Sequence, residues 1–256
     1  MKKLILLLMT LLVMSNSVQA ASASSQEATQ SKAPELHILA SDEMERLLSP
    51  LSQSFENEHQ VSLVFETASP LSVFSDSPGI SHADLLLGFS AKSWINLLNQ
   101  QLVLANSQTV IAHGQLSYWN PTSRHPNRRT LSQTSVLAVP STQEDPYASA
   151  AEDLLKRYGM QPFKGRLFQP FTALGTYQLI QTGHVEGGIT STALLRSHAT
   201  DPRQYWRIPP ELYPPIAIYG AITTQAAQPA LATRYLSWLT SAPIQEHLQK
   251  AGNLLP

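Results

Sequence analysis

The sequence predicts an α/β fold whose sheets are mostly parallel and flanked by helices. Short apolar runs that read as strands alternate with segments whose apolar residues recur at helical spacing. Repeated strand–helix units of this kind imply parallel sheets covered on both faces. Of 256 residues, about 230 remain after an N-terminal leader, enough for one large domain or two smaller lobes.

The leader reads as a signal peptide over residues 1–20. Lys2 and Lys3 precede an apolar run over 4–13 that is too short to span a bilayer, and Val18-Gln19-Ala20 offers small residues for cleavage after Ala20. Residues 21–33 are small and polar and read as a disordered lead-in. The chain has no cysteine, which excludes a lipid-anchored lipoprotein, disulfides and thiol chemistry. No later apolar run reaches membrane-spanning length, so the expected mature form is periplasmic, monomeric and not inserted in a membrane.

In the mature chain, strands are expected over 36–40, 61–65, 83–88, 115–119, 135–139, 187–190 and 216–222, the last announced by Pro214-Pro215. A helix over 43–58 carries Met44, Leu47, Leu48, Leu51 and Phe55 on one face, with Pro50 inside it as a source of a kink. Further helices are expected through 94–98, over 173–182 (ended by Gly183), 229–240 and 242–251. The segment 144–159 opens with Glu144-Asp145-Pro146-Tyr147, places Ala150, Ala151, Leu154, Leu155 and Tyr158 at helical spacing, and closes on Gly159. Behind the strand over 135–139, it is either an ordinary surface helix or one whose free N–H groups make an anion site.

A formal net charge of −1 with 14% charged residues gives no basic surface for nucleic acid or anionic lipid. The one basic cluster, residues 124–129, falls in a polar loop. The sequence has no glycine-rich phosphate loop, zinc-type histidine spacing or nucleophile elbow, so neither a cofactor nor a metal is expected. The eight histidines are scattered, and His37, His82, His113 and His184 near strand ends read as structural. A Ser-His-Asp arrangement is spatial rather than sequential, so a periplasmic hydrolase stays open as an alternative.

Several segments, in order, resemble the periplasmic molybdate-binding proteins of ABC transporters. Ala83-Asp84-Leu85-Leu86 with Lys92-Ser93-Trp94 resembles that family's "ADLFxSAD..W". The run from Ala112-His113-Gly114 to Tyr118-Trp119 resembles its "ARGRLVLW" crossover strand. Pro146-Tyr147-Ala148 resembles its "PYG" helix start, Tyr177-Gln178 with Gly183 to Gly188 its "YQFVATGNAELG", and Leu212-Tyr213-Pro214-Pro215-Ile216 its "LYPPIRQDAV". The resemblance covers residues 36–256. It implies a two-lobed periplasmic-binding-protein fold, with lobe 1 over 34–112 and 216–256, lobe 2 over 113–215, and a hinge at the two crossings. It also implies capture of a small oxyanion, molybdate or tungstate, by neutral donors, and delivery to an ABC transporter permease.

Carried over by position, Ser69 matches the family serine after the second strand, Tyr147 the tyrosine at a helix start, and Ala173 a residue whose backbone N–H binds. The sequence departs at the first helix start, where the family carries neutral donors and this chain runs Ser41-Asp42-Glu43. Either Ser41 or Glu43 falls at the donor position. A carboxylate about 4 Å from a dianion costs roughly 8 kcal/mol at an effective dielectric near 20. Either Asp42 caps the helix and pairs with Glu45 in a capping box, or the ligand differs and a carboxylate faces a cationic or metal-bearing solute. Ser69 also reads as a turn serine and Tyr147 as a packing aromatic, and Trp94 and Trp238 are expected in the core.

Overall fold

The computed structural model of the protein describes residues 33–68, 80–141 and 145–255. The expected signal peptide and nearly all of the lead-in lie outside these residues, as do Ser69 and Glu144.

The chain begins with β1 (Glu35–Ser41), α1 (Asp42–His59), β2 (Ser62–Ala68), β3 (Leu85–Phe89), α2 (Ala91–Asn99) and β4 (Thr109–Gly114). It crosses to a second sheet through β5 (Leu116–Trp119), α3 (Arg128–Gln133), β6 (Val136–Ala138), α4 (Ala148–Arg157), β7 (Arg166–Phe168), α5 (Ala173–Gln181), β8 (Gly187–Ser191), α6 (Thr192–Ser197) and β9 (Tyr205–Arg207). It returns through β10 (Ile216–Ile222), α7 (Pro229–Leu239) and α8 (Ala242–Ala251). The first sheet has the order β2-β1-β3-β10-β4 and the second β7-β6-β8-β5-β9.

Both sheets are mixed. β1 is parallel to β2 and β3, and β6 to β7 and β8, as strand–helix alternation predicts. β10 runs antiparallel to β3 and β4, and β5 to β8 and β9. These two strands follow a crossing between the sheets rather than a helix packed on their own sheet, so the right-handed crossover rule does not set their direction. The crossings are tied together: the Leu116 N–H donates to the Tyr213 hydroxyl at 3.1 Å.

The first sheet is covered on both faces. Met44, Leu47, Leu48 and Phe55 of α1 join Tyr235, Leu236 and Leu239 of α7 over one face, and Trp94 and Leu97 of α2 cover the other with Leu39 and Leu86. Phe55 meets Tyr235 edge-on at 4.9 Å, and each such fully buried side chain contributes roughly 1.5–3 kcal/mol. Trp94 is buried, and Trp238 packs against this core with its ring on Tyr235. α1 runs through Pro50 as one 18-residue helix. Asp84, 2% exposed, pins the sheet from within, accepting the N–H of His37 on β1 and of Gln228 before α7, both at 2.9 Å. In the second sheet, Ala150, Ala151, Leu154 and Leu155 of α4 pack one face, and Tyr177 and Ile180 of α5 the other.

The parallel strands of both sheets end toward a common region. β1 ends at Ser41, paired with Ala68 at the end of β2, and β8 ends at Ser191. Open α/β sheets bind ligands outside the carboxyl ends of their strands.

Candidate ligand-binding site

A cavity of about 290 Å³ lies at these strand ends. Ser41, Asp42, Glu43, Met44, Thr67, Ala68 and Gly88 line it from the first sheet's side, with Ile218 of β10. Asp145, Pro146, Tyr147, Thr172, Ala173, Leu174 and Leu194 line it from the second. The volume sits at the lower end of the range for small-molecule sites. Among the described lining residues are three acids and no lysine, arginine or histidine.

The first helix start differs from the expected capping box. Ser41, with extended backbone, is the cap, and its Oγ accepts the Met44 N–H at 3.3 Å. The strand β1 runs one residue further than expected, which puts serine at the boundary and Asp42 inside the helix. Ser41 fits only because Gly88 lies beneath it at φ 91°: a Cβ there would stand 2.1 Å from Ser41 Oγ. Asp42 turns outward and takes two bonds from Arg46, Nε to Oδ2 at 2.9 Å and Nη2 to Oδ1 at 3.2 Å. Glu45 instead accepts from the Thr67 hydroxyl.

Glu43 turns inward. Its Oε1 accepts from the Tyr147 hydroxyl at 2.6 Å, and that hydroxyl accepts from Ser191 Oγ at 3.0 Å. The bond joins α1 on the first sheet to the start of α4 on the second. Glu43 is half-buried and lines the cavity. Burial pushes its carboxyl up to about 7, against the pull of the Ser191 and Tyr147 hydroxyls, and the negative charges of Asp145 and Asp42 add to the rise. Tyr147 is 3% exposed, and burial with the adjacent Glu43 charge raises its phenol well above the ordinary range. Its ring lies against the first crossing, where a Cβ on Gly114 would stand 2.6 Å from it.

Ala173 opens α5 behind the cap Thr172, whose hydroxyl accepts the Gly175 N–H at 3.0 Å. The Ala173 N–H, expected to face a ligand, instead donates to Asp145 Oδ2 at 2.7 Å. Asp145 Oδ1 accepts the Tyr147 N–H at 2.8 Å. Burial pushes the Asp145 carboxyl up to about 6, opposed by the N–H groups of Ala173, Tyr147 and Ala148. The chain's own carboxylate thus occupies the donors that the sequence suggested for an external anion.

The fold therefore brings Ser41, Glu43, Tyr147 and Ala173 to one cavity and leaves Asp42 with its carboxylate on the rim. Sequence reasoning missed Asp145 and Ser191. Asp145 was legible as a turn former before Pro146, since an Asp side chain readily accepts the N–H two residues on. Its second bond, to a residue 28 positions away, has no local signal. Among the described residues, no group of three or more His, Cys, Asp or Glu side chains could hold a metal ion, and no helix is long and apolar enough to cross a membrane.

A comparison with curated proteins gives no match. Among solved structures, the periplasmic molybdate-binding protein of Azotobacter vinelandii superposes with a TM-score of 0.74 at 21% identity, covering 86% of this chain and 99% of that one. The sulfate-binding protein SubI of Mycobacterium tuberculosis gives 0.69 at 12% identity, covering 86% of each chain. A periplasmic thiamin-binding protein gives 0.68 at 13%, covering 88% of this chain and 83% of that one. At such identities the likeness establishes the two-lobed fold. The model of the bacterial extracellular solute-binding protein family matches residues 36–253, and the chain belongs to that family.

Proposed function

We propose that the protein captures a small solute in the cavity between its lobes and delivers it to an ABC-type permease, and that this solute carries a cationic nitrogen on a compact, partly apolar body. The inward-facing carboxyl of Glu43 carries this reading. It is held by the Tyr147 and Ser191 hydroxyls, sits beside a second buried carboxyl, and shares the cavity wall with Met44, Leu174, Leu194 and Ile218. A cation placed there would relieve the burial penalty of the Glu43 carboxylate, whereas a dianion would meet like charge at roughly 8 kcal/mol per carboxylate. A metal ion as cargo finds no set of three ligating side chains among the described residues. The lobes, 34–112 with 216–256 and 113–215, would close on the solute about the two crossings.

A second reading, capture of molybdate or tungstate, draws on the likeness to the Azotobacter molybdate-binding structure. It requires both Glu43 and Asp145 to be protonated, so oxyanion affinity would rise as pH falls. A thermal-shift screen tests both readings, because a ligand that binds only the folded state raises the melting temperature. Small primary and quaternary amines, molybdate, tungstate, sulfate and phosphate would be compared at pH 8 and pH 5.5. Stabilisation by amines at pH 8 is expected. Stabilisation by molybdate or tungstate alone would replace the first reading with the second.

A further inference from the structure

Asp145 is 5% exposed and lies between two helix starts. One oxygen accepts the Tyr147 N–H at 2.8 Å, at the start of α4, and the other accepts the Ala173 N–H at 2.7 Å, at the start of α5. Helix starts carry partial positive charge and unpaired N–H donors, so a carboxylate is a suitable partner for both at once. The charge is held by backbone rather than by a cationic side chain, and the same residue walls the cavity. The cavity thus contains a complete two-donor cradle for an oxyanion group, already filled from within.

We propose that Asp145 is a built-in anion that fills the cradle between the α4 and α5 starts, and that it is the residue that keeps external oxyanions out of this cavity. The proposal goes beyond the solute class argued above, since it concerns what the cavity rejects. It has a simple stereochemical consequence. Truncating Asp145 to alanine deletes a COO⁻ group and leaves two buried N–H donors facing a space the size of formate. Truncating it to glycine deletes CH2COO⁻ and leaves a space the size of acetate. Asparagine keeps the space filled and admits no anion.

The test is a set of melting curves for wild type, Asp145→Ala, Asp145→Gly and Asp145→Asn in sodium formate, acetate, sulfate and molybdate, against chloride at equal ionic strength. Asp145→Ala is expected to melt several degrees below wild type in chloride and to recover most of that loss, saturably, in formate. Asp145→Gly should respond best to acetate, and wild type and Asp145→Asn to none of the four. If Asp145→Ala does not fold in chloride, refolding in formate followed by circular dichroism reads the same cradle. Wild type stabilised by sulfate or molybdate would overturn the proposal. So would alanine and glycine variants that answer to no anion, whether folded or not. The amine arm on wild type separates this from the ligand reading: no response to amines together with formate rescue of Asp145→Ala would sink the cationic solute and leave the built-in anion standing.

Discussion

At the start of α1, Glu43 reaches across the cavity to a hydroxyl of the other lobe; at the starts of α4 and α5, Asp145 turns its carboxylate onto its own lobe's backbone. Burial raises both carboxyls, to about 7 and about 6. They differ in how they are satisfied. Asp145 has an N–H on each oxygen and functions as part of the scaffold. Glu43 is held by side-chain hydroxyls of the other lobe, Tyr147 at Oε1 and Ser191, and stands where a ligand can complete its coordination. Burial alone therefore does not mark a binding residue; what matters is whether the fold has already supplied the partners.

The sharpest way to break this comparison is Glu43→Gln, which keeps the shape and the bond from Tyr147 and removes the charge. If Glu43 grips a cationic nitrogen, the substitution should weaken binding by about 4 kcal/mol, close to a thousandfold, as loss of a buried charge partner does. Calorimetry with the best amine from the screen measures it. An unchanged affinity would move the ligand away from Glu43. In wild type the affinity should also fall about tenfold per pH unit below pH 7, because a protonated Glu43 must lose its proton to bind.

The next effect concerns the ligand-free protein. Glu43 titrates near 7 when folded and near 4.5 otherwise. Between those values the folded form keeps a proton that the unfolded form has lost, so stability falls as pH rises through the window. Below about pH 4.5 both forms are protonated and the penalty is absent; above pH 7 it is fully present, at about 3 kcal/mol for a shift of this size. Glu43→Gln should therefore exceed wild type in stability at pH 8 by up to that amount and match it at pH 4.5. Urea denaturation at both pH values gives the difference directly, with the other titrating groups cancelling between the two proteins. Parallel pH profiles for the two proteins would mean the carboxyl is solvated.

Smaller again is Tyr147→Phe. It removes a hydroxyl that Glu43 accepts from while keeping the ring seated over Gly114. A hydrogen bond to a charged group contributes roughly 1.5–3 kcal/mol, so a loss of about 2 kcal/mol is expected at pH 8. Less should be lost at pH 5, where Glu43 is neutral. Equal losses at both pH values would make Tyr147 a packing aromatic only.

The elements legible in the sequence are those with a full hydrophobic period or a clear boundary. α8 over 242–251 and β10 over 216–222 stand where the pattern put them, and α1 extends the expected helix by one residue at each end. The short pieces were not legible. β7 and β9 have three residues each, too few for an alternation to register. In α3, Leu131 is the buried residue of a polar hexapeptide, and α6 follows β8 with no intervening breaker. The site was half legible: the resemblance pointed to Ser41, Glu43, Tyr147 and Ala173, but the sequence could not show that Ala173 and Tyr147 spend their donors on Asp145 and Glu43. Those pairings span 28 and 104 positions; the first has no local signal within its lobe, and the second depends on how the two lobes meet.

The smallest expected effect belongs to Asp42, the immediate neighbour of Glu43. Ser41 supplies the cap, so Asp42→Asn removes no capping bond. It removes an exposed i,i+4 pair with Arg46, which contributes about 0.3–0.5 kcal/mol, and a negative charge in the first turn of α1, which contributes a similar, salt-screened amount. The stability change should stay below about 1 kcal/mol and shrink further in high salt. Affinity for a cationic solute should change by less than about threefold, since the carboxylate already faces Arg46 and the pair presents little net charge to the cavity. Two adjacent acids on one helix turn are thus expected to differ in their effect on binding by more than a hundredfold. An Asp42→Asn variant that loses as much affinity as Glu43→Gln would place the cation at the rim of the cavity, and the distinction between a carboxyl that waits for a ligand and one already satisfied would fail at this helix start.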